Sequence, residues 1–342
     1  MSRTIAIFGA GSWGTALAVS LAHGGQDVML WARRPDAAAA MARTRHNPTY
    51  LPEAAIPEAV RITADLAEAA ERAHFWVIAT PSQSVRALAR QLEPHVHDDL
   101  IVVSLAKGIE NGTLMTTTQV LRDVLRSVPS ARIGVLYGPS HAEEVALGKP
   151  TTLVAAAPSL AVAHVIQSVF MTPRLRVYVN DDVLGVEIGG SVKNVLAIAA
   201  GMSDGVGFGD NAKAALITRG LAEIQRLGLA MGADAATFSG LAGIGDLVVT
   251  CMSRHSRNRY LGEQIGRGRT LEEVEAEMQM VAEGVRTTVS VCELARRHGI
   301  EMPITEAVHA ILFEGKRPAE AVEELMSRSA KHEEWLPKAL QP

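Results

Sequence analysis

A glycine-rich turn near the N-terminus has the spacing of a ligand-binding motif. Gly9, Gly11 and Gly14 form the pattern G-x-G-x-x-G directly after the apolar run "TIAIFG". Such glycines permit a tight turn and let the backbone approach a pyrophosphate, and the amides of Ser12 and Trp13 open a helix whose positive end faces the anion. Because the motif lies between two strand-like runs, we predict a dinucleotide-binding site; the alternative is a glycine turn without a ligand.

Two arginines bear on which dinucleotide would bind. Arg33 and Arg34 follow the second strand-like run, "DVMLWA", where an acidic residue commonly binds the ribose hydroxyls of NAD. Two guanidinium groups suit a 2′-phosphate instead, so we predict a preference for NADP. Asp36 lies close behind and leaves NAD open, and a pair of solvated arginines at a strand end is the structural alternative.

A lysine interrupts an apolar segment in the second half of the chain. Lys193 stands in "SVKNVLAIAAG" (191–201), which otherwise consists mainly of small and apolar residues. Lysine is rarely buried without a partner, and complete burial lowers its pKa by up to about 3–5 units. A buried lysine could therefore exchange a proton near neutral pH, whereas a structural lysine would extend its ammonium group to the surface.

Short apolar runs alternate with alanine-rich amphipathic stretches through the first half of the chain. The strand-like runs are 4–9, 27–32, 74–80, 100–106, 132–138 and 151–157, with a last one at 174–182. Near-continuous apolar runs are typical of strands buried on both faces, and their alternation with helices predicts a doubly wound, mostly parallel sheet. The looser segment 34–59 is predicted to form a helix and then a proline-rich loop.

Helical periodicity replaces the strand-like runs from about residue 183 onward. Examples are 211–228 and 289–299, where Gly299 has the position of a helix stop. The predicted fold class is α/β, with a doubly wound Rossmann-type sheet followed by an all-α C-terminal domain. We predict a dinucleotide-binding domain over residues 1–182 and a helical substrate-binding domain over residues 183–342.

Composition excludes several classes of function. The chain of 342 residues has a formal net charge of −4, which gives no basic field for nucleic acid. Its two cysteines, Cys251 and Cys292, are far apart in sequence, so neither a disulfide framework nor a cysteine zinc site is indicated. We find no secretory signal and no apolar run of about 18 residues, and we expect a cytoplasmic protein without membrane insertion. The segment "PHVHDD" (94–99) has metal-like spacing, but a polar loop explains it and no metal is predicted.

The order of motifs along the chain resembles that of the bacterial NAD(P)-dependent glycerol-3-phosphate dehydrogenases. The matching stretches are "GAGSWGTALA" (9–18), "SLAKGIE" (104–110), "GPSHAEEV" (138–145), "EIGGSVKNVLAIAAGM" (187–202), "GDNAKAALITRGLAEI" (209–224), "GLAGIGDLVVTCMSRHSRNRYLG" (240–262) and "VAEGVRT" (281–287). The resemblance implies reversible reduction of dihydroxyacetone phosphate to sn-glycerol 3-phosphate with NADPH or NADH, for phospholipid synthesis. It also implies a homodimer and a site between a Rossmann domain and a helical domain. His141 and Arg33 stand at positions that the family fills variably.

The resemblance implies roles for individual residues. Lys193 would be the general acid and base, with Asp246 hydrogen-bonded beside it and Thr250 in support. Substrate-binding roles are implied for Lys107, Gly138, Ser140, Lys193, Asp246, Ser256, Arg257 and Asn258, the last three at the phosphate. Cofactor-binding roles are implied for Gly9, Gly11, Ser12, Trp13, Gly14, Arg33, Arg34, Lys107, Ala142, Arg257, Val281 and Glu283.

Two other functions would keep part of this pattern. A related dehydrogenase with the same architecture could act on a 3-hydroxyacyl compound, 6-phosphogluconate or ketopantoate, but the "SRNR" segment (256–259) favours a phosphorylated substrate. A non-catalytic NADP-sensing module would keep the glycine turn. Such a module would have no use for Lys193, Lys107 and Asp246 together.

Overall fold

A central sheet dominates the first half of the computed structural model, which describes residues 3–329. The strands are β1 (Thr4–Phe8), β2 (Asp27–Trp31), β3 (His46–Asn47), β4 (Leu51–Ala55), β5 (Arg61–Thr63), β6 (Phe75–Ile78), β7 (Ile101–Ser104), β8 (Ile133–Tyr137), β9 (Thr151–Ala156) and β10 (Leu175–Asn180). Eight of them form one sheet in the order β10-β9-β8-β7-β6-β1-β2-β5. Every neighbouring pair in it is parallel except β8 and β9.

Helices cover both faces of this sheet. Those of the first half are α1 (Ser12–His23), α2 (Pro35–Thr44), α3 (Leu66–Glu71), α4 (Val85–Leu92), α5 (Thr117–Val124), α6 (Ala142–Ala146) and α7 (Leu160–Phe170). Alternate residues of β1 enter two different apolar cores: Ile5 and Ile7 lie in one, Ala6 and Phe8 in the other. Burial on both faces explains why the strands are continuous apolar runs, and the predicted doubly wound α/β fold is confirmed.

Each predicted strand run contains a strand, but two features of the sheet region were not predicted. The segment 34–59 begins with α2 as expected, yet the predicted loop holds a two-stranded antiparallel sheet of β3 and β4, so that prediction was wrong in part. The short strand β5 at the sheet edge was missed because "RIT" has three residues and only one is apolar. Strands this short carry almost no periodic signal.

The remainder of the described chain is helical. Its helices are α8 (Val183–Val206), α9 (Asp210–Ala230), α10 (Asp246–Met252), α11 (Arg257–Gly266), α12 (Leu271–Glu277), α13 (Glu283–His298), α14 (Pro303–Phe313) and α15 (Pro318–Ser327). Helix α13 ends as predicted, since Gly299 adopts the left-handed conformation with φ 66°. The predicted division at residue 182 falls between β10 and α8, and residues 330–342 of the second predicted domain lie outside the described residues.

Helix α8 is the centre of the helical half. By length and composition it could cross a membrane, which corrects the expectation that no apolar segment is long enough, but 94% of its apolar window is buried inside the protein. It is therefore the core helix around which the others pack. A Cβ atom added at Gly201 would overlap the carbonyl oxygen of Arg259, and one at Gly262 would overlap that of Ile198. Glycines at these two positions let α8 and α11 pack backbone against backbone.

Candidate functional site

The glycine turn forms one wall of a cleft of about 830 Å³. Gly9 has a φ of 125°, and a Cβ atom there would lie 2.6 Å from the carbonyl oxygen of Ala79. A Cβ at Gly14 would overlap the carbonyl oxygen of Gly9, so this glycine permits close packing of α1 on β1. Gly11, at the start of α1, borders open space into which a Cβ would project. Its backbone is therefore open to a pyrophosphate, and the turn fits a dinucleotide.

Arg33 and Arg34 lie on the same cleft beyond the end of β2. Both side chains are exposed, as is that of Asp36 in the first turn of α2. Within the described part of the chain neither guanidinium group has a hydrogen-bond or ion-pair partner. Their guanidinium groups are thus available to an anion at this end of the cleft.

Most of the residues implicated from the sequence border this single cleft. Those that line it are Gly9, Gly11, Ser12, Trp13, Arg33, Arg34, Lys107, Ser140, Lys193, Asp246, Ser256, Arg257, Asn258, Val281 and Glu283. Gly14, Gly138 and Ala142 are not on its wall. Gly138 contributes through its carbonyl oxygen, which accepts hydrogen bonds from Lys107 Nζ and Ser140 Oγ, both at 3.0 Å. The side chain of Ala142 is buried in a small apolar cluster with Ala16 and Leu51.

Lys193 is 5% exposed and faces the floor of the cleft from α8. Its Nζ donates to Asp246 Oδ1 and, at 2.7 Å, to Thr250 Oγ1. The pKa of Lys193 is lowered to about 7, mainly by burial; the charge of Asp246 opposes this lowering, and the charge of Lys107 adds to it. An ammonium group has three N–H bonds, so one remains for an oxygen atom bound in the cleft. The lysine is held by partners inside the protein and does not reach for the surface.

Asp246 joins two lysines. This carboxylate begins α10, is 1% exposed, and its Oδ2 accepts from Lys107 Nζ at 2.6 Å. Burial alone would raise the pKa of Asp246, but the charges of Lys107 and Lys193 outweigh it and hold the pKa below its ordinary value. One buried negative charge therefore faces two positive charges, and the cluster carries a net positive field toward the cleft. That field suits an oxygen atom on which negative charge develops.

The "SRNR" segment lies at the start of α11, as predicted, although part of the helix end is already occupied. Ser256 caps the helix, since its Oγ accepts from the Arg259 amide at 3.2 Å. Asn258 is buried and joins two helices: its Nδ2 donates to Asn194 Oδ1 at 3.0 Å, and its Oδ1 accepts from the Gly284 amide at 2.9 Å. Arg257 is exposed in the cleft, with one N–H bound to the Val281 carbonyl at 3.2 Å. Its other N–H groups are free to bind an anion in the cleft.

Glu283 is held by the sheet half of the molecule. Its carboxylate accepts from the amide of Ser82 at 3.2 Å and from the Ser82 hydroxyl at 2.5 Å. Burial raises the pKa of Glu283 above its ordinary value, although the bonds from Ser82 oppose the rise. The residue thus links α13 to the segment after β6 while it borders the cleft. Val281 beside it is 53% exposed.

The cleft also holds a pair of histidines to which the sequence assigned no role. The rings of His141 and His255 lie 5.8 Å apart between centroids, one on the segment after β8 and the other just before α11. His141 Nε2 is buried without a hydrogen-bond partner, and burial, followed by the charge of Lys193, lowers the pKa of His141. A position directly after Ser140 at a strand end was the signal that could have found it, because such ends carry ligand contacts.

The two histidines of the segment 94–99, which has metal-like spacing, lie within hydrogen-bond distance of other protein groups. His95 Nδ1 lies 3.1 Å from Glu71 Oε1, and His97 Nε2 lies 2.9 Å from the carbonyl oxygen of Ala73. Among residues 3–329 there is no group of three or more histidine, cysteine or acidic side chains placed to hold a metal ion. Cys251, close to Thr250, is buried, and burial raises its pKa to about 12, so its thiol stays protonated near neutral pH.

Family models and similar proteins all indicate the same family for this chain. The family models described as NAD-dependent glycerol-3-phosphate dehydrogenase match the chain in two parts, the N-terminus model over residues 4–163 and the C-terminus model over residues 182–323. A Salinibacter ruber protein named glycerol-3-phosphate dehydrogenase (NAD(P)+) 1 is 67% identical over 338 residues, which cover 99% of each chain. A Prosthecochloris aestuarii protein named glycerol-3-phosphate dehydrogenase (NAD(P)+) is 55% identical over 96% of this chain and 99% of its own.

Among solved structures, the chain is similar to a crystal structure of glycerol-3-phosphate dehydrogenase from Coxiella burnetii. The TM-score is 0.91 at 41% sequence identity, with 96% of this chain and 99% of the other covered. The similarity includes both the sheet and the helical half.

Proposed function

The chain belongs to the NAD-dependent glycerol-3-phosphate dehydrogenase family, and on that premise we propose that its cleft reduces dihydroxyacetone phosphate to sn-glycerol 3-phosphate with NADPH or NADH. The protein is an NAD(P)-dependent oxidoreductase, and the reaction is reversible. The observation that carries the assignment of residues is the buried cluster of Lys193, Asp246 and Lys107 on the floor of the cleft that begins at the glycine turn.

The cluster of Lys193, Asp246 and Lys107 accounts for proton transfer and for stabilisation of the charge that develops during the reaction. The nicotinamide ring supplies a hydride to the carbonyl carbon when the cofactor is bound. Negative charge then develops on the carbonyl oxygen, and Lys193 donates the proton that converts it to a hydroxyl group. Lys107 stabilises the developing charge, and Asp246 orients both ammonium groups. In the reverse direction neutral Lys193 accepts the hydroxyl proton, so the same group serves as acid and base.

The substrate phosphate is assigned to the start of α11. Arg257 offers free N–H donors in the cleft, and Asn258 next to it is fixed between α8 and α13 by its two hydrogen bonds. A guanidinium group binds a phosphate dianion by charge-assisted hydrogen bonds. We place the carbonyl end at Lys193 and the phosphate end at Ser256, Arg257 and Asn258, so that the substrate lies along the helical wall.

Glycines 9, 11 and 14 with Ser12 and Trp13 would hold the cofactor pyrophosphate. The 2′-phosphate of NADP would lie at Arg33 and Arg34, and Val281, Glu283 and Ala142 remain candidates for the nicotinamide end. The two exposed, unpaired guanidinium groups support a preference for NADPH over NADH.

Substrate-dependent oxidation of NADPH, followed by its ultraviolet absorbance, tests this assignment. Dihydroxyacetone phosphate should support rapid oxidation, whereas dihydroxyacetone, a 3-oxoacyl compound and ketopantoate should not. Rapid turnover of one of the latter would favour a related dehydrogenase. Tight binding of NADPH without turnover of any ketone would favour a cofactor-sensing module.

The proposal has four further parts. We propose that the chain divides into two domains near residue 182, that it forms a homodimer, that it is cytoplasmic, and that it supplies glycerol phosphate for phospholipids. A domain boundary at that point is supported by the change from sheet to helices, although Tyr137 of β8 and Val186 of α8 share one apolar cluster. Sedimentation of the purified protein tests the dimer, and cell fractionation tests the location. Loss of phospholipid synthesis after gene disruption, restored by added glycerol phosphate, tests the metabolic role.

A further inference from the structure

A buried carboxylate that borders no part of the cleft joins the two halves of the molecule. Glu187 lies on α8, six residues before Lys193, and is 1% exposed. Its Oε1 accepts from Thr117 Oγ1 at 2.9 Å and from the Thr118 amide at 2.8 Å. Its Oε2 accepts from Thr116 Oγ1 at 2.7 Å and from Thr118 Oγ1 at 2.6 Å. Four neutral donors at the positive end of α5 thus compensate one charge, and no cation of the described chain pairs with it.

The carboxylate fixes the direction of the neighbouring hydrogen bonds. A carboxylate can only accept, so the Thr117 hydroxyl must point its proton at Glu187. The hydroxyl of Ser104, 2.8 Å away, must then donate to Thr117, and its own oxygen is left to accept from the amide of Ala106 at 3.3 Å. Reversal of any of these bonds would leave a buried donor facing a donor, which is costly at low dielectric.

Tyr137 holds the other backbone group of Ala106. Its hydroxyl donates to the Ala106 carbonyl oxygen, and burial and the charge of Glu187 raise the pKa of Tyr137 well above its ordinary value, so the proton stays in place. The ring packs on α8: a Cβ atom added at Gly190 would lie 2.6 Å from it. Both polar backbone groups of Ala106 therefore end in a network that is anchored to α8.

Ala106 directly precedes Lys107. The segment that carries them follows β7 and has no regular structure, so its conformation depends on these side-chain contacts. The ammonium group of Lys107 also lies 5.7 Å from the centroid of the Tyr137 ring. We propose that Glu187 is a positioning residue: through Thr117, Ser104 and Tyr137 it sets the place of Lys107, on the sheet half, against the Lys193–Asp246 pair of the helical half. This inference rests on the function proposed above and assigns it a residue outside the cleft.

Two expected effects distinguish a role of Glu187 in positioning Lys107 from a role in the stability of the fold alone. If Lys107 withdraws, the cleft loses a cation, and dihydroxyacetone phosphate should bind more weakly. The charge of Lys107 also opposes protonation of Lys193, so its withdrawal should raise the pH at which Lys193 gives up its proton. Loss of global stability alone would change neither property in the molecules that remain folded.

The decisive variant is Glu187→Gln, which keeps the shape of the side chain and removes its charge. Glu223→Gln is the matched control: Glu223 is 2% exposed, lies away from the cleft, and accepts from the Ile304 and Thr305 amides at 2.6 and 3.1 Å. We expect lower melting temperatures in both variants. Only Glu187→Gln should raise KM for dihydroxyacetone phosphate, by about 10-fold. In the pH profile of ketone reduction, activity should fall at high pH as Lys193 loses its proton. Only Glu187→Gln should move this fall to higher pH, by at least about half a pH unit.

Kinetics of Glu187→Gln that match those of Glu223→Gln and the wild type would overturn the proposal. If Glu187→Gln does not fold, Tyr137→Phe decides, since it removes only the hydroxyl that holds Ala106; the same upward displacement supports positioning, and an unchanged profile refutes it. Failure of the wild type to turn over dihydroxyacetone phosphate would instead refute the proposed function, so the two failures are distinguishable.

Discussion

At the scale of single residues, Lys193 is expected to act by proton transfer and not by charge alone. Lys193→Met should fold and bind cofactor, because a methionine side chain fits a lysine site of this length, while kcat should fall by about 10²–10⁴. Lys193→Arg keeps the positive charge but cannot release a proton at working pH. If proton transfer is the role, the arginine variant should be impaired as severely as the methionine variant. Near-normal turnover of either one would remove Lys193 from the mechanism.

The pH dependence of the two reaction directions follows from the same residue. Burial lowers the pKa of Lys193 to about 7. Ketone reduction requires the ammonium form, so its kcat/KM, which reports the pKa of the substrate-free protein, should be constant at low pH and fall as pH rises through about 7. Alcohol oxidation requires the neutral amine, so its kcat/KM should rise through the same range. The pH profiles of kcat/KM in both directions check the sign; a kcat/KM for reduction that increases above neutral pH would contradict it.

Arg33 and Arg34 are expected to determine the cofactor preference. Changing both to alanine should raise KM for NADPH by about 10-fold or more, since each lost contact at a partly exposed site is worth roughly 1 kcal/mol or more. KM for NADH and kcat should hardly change, because NADH lacks the 2′-phosphate and the nicotinamide end is untouched. Both cofactors should be compared at one ionic strength, since exposed charges are screened. Equal weakening of the two would shift ribose recognition to Asp36.

Sequence alone located many of the cleft residues because their signals are local. The glycine turn and the arginines after β2 have fixed places beside a strand, and a lysine in an apolar helix is conspicuous by itself. Glu187 had no such signal. Its donors lie about 70 residues earlier in the chain, and a glutamate in a helix is ordinary until the fold places three threonines around it. Glu283 was implicated by the family resemblance, but its bond to Ser82, 201 residues away, had no local signal either.

At the scale of elements, the contact between α8 and α11 places the segment that we propose to bind the substrate phosphate on the same side of the cleft as Lys193. Gly201→Ala should destabilise the protein by about 1–3 kcal/mol or more, because the new Cβ would overlap the Arg259 carbonyl and force the helices apart. The free energy of unfolding in denaturant checks this. Gly245→Ala is the control, since its Cβ would have its nearest neighbour at 3.6 Å and Gly245 itself has helical backbone angles, φ −61° and ψ −50°. Equal stability of the two variants would contradict backbone-to-backbone packing.

The elements that escaped prediction are those whose sequence signal is short. Long buried strands and amphipathic helices repeat one pattern over many residues, so β1, β2 and α9 were found close to their true bounds. The hairpin of β3 and β4 lies in a proline-containing segment in which only part of one face is buried. Its β4 packs near α1, so tertiary contacts and not local propensity account for it.

At the scale of the whole molecule, residues from both halves of the chain line the cleft. Cofactor and substrate should therefore each add to the stability of the folded protein. The cofactor contacts assigned here lie mostly on the sheet half, whereas the substrate contacts join Lys107 to Lys193 and Arg257. A ligand at 100 times its Kd raises the free energy of unfolding by about 2.7 kcal/mol. NADPH should therefore raise the melting temperature, and sn-glycerol 3-phosphate added together with NADPH, with which it cannot react, should raise it further.

The variant Arg257→Ala separates the stabilisation of the folded protein by the cofactor from its stabilisation by the substrate. Because Arg257 is assigned chiefly to the substrate phosphate, the variant should keep most of the stabilisation by NADPH and lose most of the increment from sn-glycerol 3-phosphate. Glycerol without a phosphate should give no increment in either protein, which excludes a general effect of polyols. Scanning calorimetry at matched ionic strength measures all of these melting temperatures. If the variant keeps the full increment from glycerol phosphate, the phosphate does not bind at the start of α11, and the substrate must be oriented differently in the cleft.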